Sequence, residues 1–134
     1  MILRPIEDTY ELWPWVRKGL IECAAKTQER YRPEDVYLLL QAKNAYLYVF
    51  EDDGTNIGFL IVQRMFDPDG PVLFVFALWG EVMRAFATEC YGHLETLARS
   101  IGAKRIRMQS PRKGWAREEF FRAVSMIYER ELTC

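Results

Sequence analysis

The chain has 134 residues, enough for one domain to bury a core without disulfides or bound metal. Half of the residues are hydrophobic and 28% are charged, which is too apolar for a disordered segment. Eighteen Lys and Arg against nineteen Asp and Glu give a net charge of −1, so there is no overall positive field to collect nucleic acid or an anionic membrane surface. We therefore expect one domain, residues 1–134, with neither nucleic acid nor a membrane as partner.

The cysteines are few and widely spaced. Cys23, Cys90 and Cys134 form no Cys-x-x-Cys pair, so the sequence predicts neither a disulfide framework nor a metal site. The N-terminal residues lack a basic region followed by an apolar run, and charges interrupt every apolar stretch before it could span a membrane. We expect a cytoplasmic protein with reduced thiols.

The first third of the chain predicts a strand and two helices. Ile2–Ile6 is a short extended start, and Asp8 or Thr9 can cap the helix that follows. That helix is indicated by apolar residues at helical spacing, which are Leu12, Val16, Leu20 and Cys23. Pro33 is suited to the first position of a second helix, which we expect to run to Lys43.

The middle of the chain predicts three strands. Ala45–Phe50 and Ile57–Gln63 are β-rich runs joined by the turn residues 52–54, which is typical of a hairpin. Val72–Leu78 is apolar at every position rather than alternating. Such a strand is expected to be covered on both faces of its sheet.

A long amphipathic helix follows and ends at Gly102. Its apolar stripe comprises Met83, Phe86, Ala87, Cys90, Leu94, Leu97, Ala98 and Ile101. Ala103–Met108 is the next predicted strand, and a strand–helix–strand crossover makes it the parallel neighbour of Val72–Leu78. Ser110 and Pro111 open a predicted fourth helix that runs through Phe120, and Met126–Leu132 is a predicted final strand.

The long helix ends in the sequence Ala-Arg-Ser-Ile-Gly-Ala, residues 98–103. This ending and the order of elements resemble the GCN5-related N-acetyltransferases (GNAT) over nearly the whole chain. By that family's spacing, Ala77 and Trp79 occupy the Val and Pro positions of its Val-x-Pro motif. In its Arg/Gln-x-x-Gly-x-Gly/Ala loop, Val82 occupies the Arg/Gln position, and Ala85 and Ala87 occupy the two small positions. The resemblance implies an α+β fold: a mixed, mostly antiparallel sheet with one parallel β-α-β crossover and helices on both faces.

The resemblance implies acetyl-CoA as cofactor. Its pantetheine arm would pair with an exposed strand edge, and its diphosphate would meet backbone amides and a basic side chain at a helix start. The residues implied in this binding are Phe76, Ala77, Leu78, Met83, Arg84, Ala85, Phe86, Ala87 and Arg112. Without the resemblance, residues 82–87 are typical of the first turn of an ordinary amphipathic helix.

Catalysis would need a base, and Glu81, just past the central strand, is the candidate. The alternative is a solvated first-turn acid that complements the helix dipole. A tyrosine that often serves as acid in the family corresponds here to Phe120 or Phe121, neither of which can donate a proton. His93 is interpreted as a half-buried structural residue, and Cys90 as an inert packing residue.

A basic cluster near the C-terminal end has two interpretations, a solvated surface or an anion site. Its members are Lys104, Arg105, Arg107, Arg112, Lys113 and Arg117. The tryptophans near element ends, Trp13, Trp15 and Trp115, either fill the core or mark a protein interface or a substrate pocket.

Two functions remain open at this point. The resemblance implies acetyl-CoA-dependent N-acetylation of a primary amine, on a small molecule or a protein. The alternative is a catalytically degenerate protein of the same fold, similar to small prophage-encoded ones, which acts as a binding or assembly module. That alternative predicts an oligomer, for example a homodimer, or a partner complex.

Overall fold

The computed structural model describes residues 1–27, 30–110 and 120–132. Within these ranges the strands are β1 (Ile2–Ile6), β2 (Tyr46–Asp52), β3 (Thr55–Asp67), β4 (Gly70–Gly80) and β5 (Arg105–Met108). The helices are α1 (Trp13–Thr27), α2 (Pro33–Gln41) and α3 (Val82–Ser100). Because each apolar period in the sequence matches the element that forms, most of these segments agree with the predicted ones to within a few residues.

The five strands form one sheet in the order β1-β2-β3-β4-β5. The first three neighbouring pairs are antiparallel, and β4 with β5 is the one parallel pair. Helix α3 is the crossover between the two parallel strands, as predicted. The mixed, mostly antiparallel sheet and the α+β class are therefore confirmed.

Both faces of the sheet are buried under helices. Alternate residues of β3 show this directly: Phe59 and Ile61 belong to the core under α1 and α2, whereas Leu60 and Val62 belong to the core under α3. All four side chains are at most 3% exposed. The continuous apolar runs of the sequence are thus explained by a sheet with no solvated face at its centre.

Strand β4 changes its alternation at Phe76. Leu73 and Val75 face α3, but Ala77 and Phe76 both pack on the α1 and α2 side. The pairing with β3 shifts at the same place, where Ile61 pairs with Ala77 and the adjacent Val62 pairs with Val75. One extra residue in β4 is a β-bulge, which bends and twists the strand locally.

An ion-pair network joins β5 to the β3–β4 turn. Arg105 contacts Asp69 through two nitrogen–oxygen pairs at 2.9 and 2.6 Å, and Arg107 contacts Asp67 at 3.0 and 2.8 Å. Two members of the predicted basic cluster are therefore paired with carboxylates of the same chain. The network fixes β5 beside the first half of β4.

We expect acid to weaken this network. Hydrogen bonds from Arg105 and Arg107 lower the carboxyl pKa values of Asp69 and Asp67, that of Asp69 from 3.8 to about 2. A depressed folded-state pKa means that the stabilisation is complete above about pH 4 and is lost as the pH falls toward 2. The melting temperature of the wild type should fall between about pH 4 and pH 2. The melting temperature of Asp69→Asn should fall less steeply over the same range.

Asp53→Asn is the matched control, because it removes a carboxylate from the β2–β3 turn, where Asp53 takes no part in the arginine network. This variant should keep the wild-type acid slope. Equal slopes for Asp69→Asn and the wild type would contradict the stabilising role of the network.

Several predicted boundaries were wrong, and the largest difference in the sheet is at β3, which runs from Thr55 to Asp67 rather than from Ile57 to Gln63. Helix α1 begins at Trp13 rather than just after Asp8, because the Asp8 carboxylate accepts the Tyr10 N–H at 3.0 Å in a preceding turn. Helix α2 ends at Gln41, and Lys43 takes a left-handed φ of 62°, so the helix stops before the predicted Lys43. Strand β5 starts at Arg105, not Ala103.

The predicted final strand was also wrong. Met126–Leu132 has no regular secondary structure, and its apolar side chains are exposed, Met126 at 76% and Tyr128 at 87%. The run Met-Ile-Tyr-Glu-Arg-Glu-Leu contains β-prone apolar residues, but such a run forms a strand only where an edge is available to pair with it. The predicted fourth helix lies outside the described residues except for its ends, Ser110 and Phe120.

Two absences hold for residues 1–27, 30–110 and 120–132. None of the helices there is long and apolar enough to cross a membrane. In those ranges, no cluster of three or more His, Cys, Asp or Glu side chains could hold a metal ion.

Candidate functional site

Strands β4 and β5 separate halfway along β4. Their parallel pairing covers only Val72–Val75 against Arg105–Met108, and β4 then continues to Gly80. The separation begins at the bulged residue Phe76. In the described part of the chain, no strand pairs with residues 76–80 on that side, so their backbone N–H and C=O groups form an edge that an extended amide could join.

The junction between β4 and α3 is tightly built. Gly80 has a φ of 116°, and the N–H of Glu81 donates to the carbonyl of Ile57 on β3 at 3.0 Å. Helix α3 begins at the next residue, Val82. The diverging edge and the first amides of the helix are thus contiguous in the chain.

The first turns of α3 are interrupted at Phe86. Its φ of −134° and ψ of 35° are not helical, so Val82–Ala85 forms one turn and the regular helix resumes at Ala87. The predicted amide set, residues 83–87, is therefore divided between two helical segments and does not form one continuous turn. Val82 is 0% exposed in the core under α3, which takes its side chain away from any ligand at the surface.

The structure brings several predicted site residues together. Phe76, Ala77 and Leu78 lie along the diverging edge, and Ala85 lies in the helical turn that follows. Glu81 is exposed at the N-cap of α3, between the edge and the helix. Among the remaining predicted residues, the side chains of Met83 and Arg84 and the whole of Arg112 lie outside the described part of the chain.

Sequence reasoning missed a carboxylate beside this edge. The indole Nε1–H of Trp79 donates to Oε2 of Glu22 at 2.6 Å. The two residues are 57 positions apart, and Glu22 reads in the sequence as an ordinary solvated residue of α1. Only the proximity of α1 to the end of β4 reveals the pair.

Aromatic rings line the same side of β4. Trp79 contacts Trp15 and Phe59, with ring centroids 5.5 and 5.3 Å apart, and Tyr31 contacts Phe76 at 5.1 Å. Trp15 thus packs against the core, and so does Trp13, which lies 4.8 Å from the ring of Tyr37. For these two tryptophans the structure favours the core-filling interpretation.

Both described thiols are poor nucleophiles. Burial raises the pKa of Cys90 to about 12 and that of Cys23 to about 11. A thiol is reactive as its thiolate, so neither side chain is activated near neutral pH. The prediction that Cys90 is an inert packing residue is confirmed.

The other singled-out residues lie away from the edge. His93 is half-buried, with Nε2 3.4 Å from the carbonyl oxygen of Met1 and its ring against Phe50. Phe120 stacks on Tyr91 at 4.2 Å and borders a cavity of about 210 Å³ between the C-terminal end of α3 and the start of β5. That cavity lies at the opposite end of β4 from Glu81.

Comparison with known proteins gives matches in structure alone. No family model and no curated protein matches the sequence. A ribosomal-protein-alanine N-acetyltransferase from Brucella melitensis biovar Abortus 2308 is similar, with a TM-score of 0.70, 18% identity, and coverage of 98% of this chain and 100% of that one. A GNAT family acetyltransferase of Staphylococcus aureus is also similar, with a TM-score of 0.68, 12% identity and coverage of 98% of each chain.

A third similar structure is the aminoglycoside N-acetyltransferase AAC(6')-Iy, solved in complex with CoA. It gives a TM-score of 0.66 at 14% identity, covering 99% of this chain and 95% of that one. These likenesses extend over the whole length of both partners, and they agree with the strand order and the crossover described above. The chain adopts the fold of the GCN5-related N-acetyltransferases.

Proposed function

We propose that the chain is an acetyl-CoA-dependent N-acetyltransferase whose acceptor is a primary amine. The observation that carries this proposal is the separation of β4 from β5 after Val75, at a bulge, beside the start of α3. Where two strands separate inside a sheet, the backbone N–H and C=O groups that lose their partner are available to an extended ligand. The similar structures named above are acetyltransferases, and one of them holds CoA.

The residues present fit such a ligand in two respects. The open backbone of Phe76–Leu78 suits the amide groups of a pantetheine arm, as an added strand would pair with it. The turn that begins at Val82 supplies N-terminal amides directly after the edge, and the small residues Ala85 and Ala87 leave room for a diphosphate. When bound, acetyl-CoA supplies a thioester carbonyl, at which the acceptor nitrogen forms a C–N bond while the C–S bond breaks.

Glu81 is the proposed base. It is exposed at the junction of the edge and the helix, where it can accept the proton that an ammonium group must lose before its nitrogen attacks. The residues at the family's acid position, Phe120 and Phe121, carry no proton to donate, and Phe120 lies at the far end of α3. We therefore assign protonation of the departing thiolate to solvent.

The proposal predicts that acetyl-CoA stabilises the protein against heat. A ligand at a hundredfold excess over its Kd adds about 2.7 kcal/mol to the free energy of unfolding, and the melting temperature should rise accordingly. Arg84→Glu should abolish the rise, since it reverses the charge of a residue in the turn whose amides would face the diphosphate. Differential scanning fluorimetry of both proteins measures this.

Arg99→Glu is the matched control, because it makes the same charge reversal at the other end of α3. It should keep the full rise. No rise for the wild type at millimolar acetyl-CoA would contradict the proposal and favour the binding or assembly module instead. The supporting observation for that second function is the exposed apolar segment 124–132, in which Val124 and Ile127 are 64% and 68% exposed.

A further inference from the structure

Glu22 carries an exposed carboxylate that is held in a fixed orientation. Its Oε2 accepts the Trp79 indole N–H at 2.6 Å, a short hydrogen bond to a charged acceptor. A carboxylate has about four acceptor positions, and this bond uses one of them. In the described part of the chain, Glu22 makes no ion pair with a basic side chain, so most of its hydrogen-bonding capacity faces solvent.

Close packing holds the carboxylate beside the diverging edge. Helix α1 approaches β4 at Gly19, where an added Cβ would lie only 2.7 Å from Cδ2 of Trp79. One turn further along α1, the Cys23 thiol lies 3.8 Å from the carbonyl oxygen of Leu78. Glu22 lies between these two contacts, so its backbone is held beside the end of β4, and the hydrogen bond from Trp79 orients its carboxylate there.

The surroundings of this carboxylate suit a positive charge. Trp79 is half-buried and fixed by Trp15 and Phe59, and Phe76 with Tyr31 continues the aromatic lining along β4. These rings exclude part of the water around the carboxylate, and the attraction between opposite charges is stronger where water is partly excluded. A carboxylate next to such rings therefore selects an organic cation over a neutral or negatively charged group.

We propose that Glu22 and Trp79 bind a positive charge on the acceptor, so that the substrate class is an amine with a second cationic group, such as a diamine. This rests on the proposed acetyl transfer at the same edge. The reacting nitrogen of the acceptor must be neutral when it attacks the thioester, so it cannot serve as the charged anchor. The second cationic group remains protonated and pairs with Glu22.

Isothermal titration with 1,4-diaminobutane tests the assignment, with and without CoA in the cell. The wild type should bind the diamine, and it should bind 4-aminobutanoate, which carries a carboxylate in place of one aminomethyl group, at least about tenfold more weakly. Glu22→Gln keeps the acceptor for the Trp79 indole but loses the charge, and it should weaken diamine binding about tenfold. Trp79→Phe, which removes the hydrogen bond that orients the carboxylate, should also weaken binding.

Glu95→Gln is the control, since it removes the same charge from α3 on the opposite face of the sheet. It should bind the diamine as the wild type does. Absence of diamine binding in both titrations, or equal binding by the wild type and Glu22→Gln, would overturn the assignment. If either titration result occurs while acetyl-CoA still raises the melting temperature, only the cation site is contradicted and the transferase proposal stands. If acetyl-CoA does not raise the melting temperature but the diamine binds as expected, the transferase proposal is contradicted and the cation site stands.

Discussion

Gly80→Ala is expected to destabilise the protein by about 2–5 kcal/mol and to abolish the acetyl-CoA thermal shift. Gly80 has a φ of 116°, a conformation that residues with a side chain rarely adopt. An added Cβ would lie 2.3 Å from the Ile57 carbonyl oxygen and 2.5 Å from the Gly58 Cα, so backbone would have to move. The displaced oxygen is the one that accepts the Glu81 N–H, and α3 would shift with it.

Gly70→Ala separates the two causes. Gly70 has a similar φ of 134°, but an added Cβ there meets nothing within 4 Å. Backbone strain alone should lower the free energy of unfolding of this variant, by about 1–3 kcal/mol. The variant should keep the acetyl-CoA thermal shift. Urea unfolding of both variants gives the two free energies. Equal losses for Gly70→Ala and Gly80→Ala would show that the close approach of β3 and β4 at Gly80 has no energetic role.

The order of elements could be predicted because it depends on patterns that are local in the sequence. The helical spacing of Val16 and Leu20 and the unbroken apolar run of β4 each specify an element before any partner is known. The parallel arrangement of β4 and β5 followed from the crossover rule. The failure at Met126–Leu132 has the same origin, since a local run of β-prone residues does not show whether a strand edge is available to pair with it.

The candidate site was only partly predictable. The diverging edge and Glu81 are contiguous in the chain, so a family resemblance could indicate them. The bulge at Phe76 depends on the register of β4 against β3, and the kink at Phe86 depends on how that residue packs in the core under α3. Neither is encoded by a local motif. The Glu22–Trp79 pair is less predictable still, because it requires α1 to pack against the end of β4, near Trp79.

The two carboxylates near the end of β4 occupy different settings. Glu81 follows the strand directly and belongs to the junction with α3, whereas Glu22 approaches from α1 on the other side of the sheet. A transferase that uses a dicationic acceptor needs both carboxylates. One accepts the proton of the reacting ammonium group, and the other pairs with the second ammonium group, which remains protonated. The open backbone edge lies between them, which is where an acyl group would have to be presented.

Gly19→Ala should destabilise the protein by about 1–3 kcal/mol, although alanine is the better helix former. The new Cβ would lie 2.3 Å from Cε2 of Phe59, a side chain that is 0% exposed, so core side chains would have to move. It would also press on Trp79 and so disturb the hydrogen bond to Glu22. Weaker binding of 1,4-diaminobutane should therefore accompany the loss of stability.

Gly92→Ala, also at a glycine within a helix, is expected to stabilise the protein instead. Gly92 lies within α3, and an added Cβ meets nothing within 4 Å, so only helix propensity changes. This variant should gain about 0.5–1 kcal/mol in the free energy of unfolding. Chemical denaturation of the two variants measures effects of opposite sign from one and the same substitution. A gain in stability for Gly19→Ala would mean that α1 does not pack against Phe59 and Trp79, and the positions of Glu22 and the cation site would then have no support.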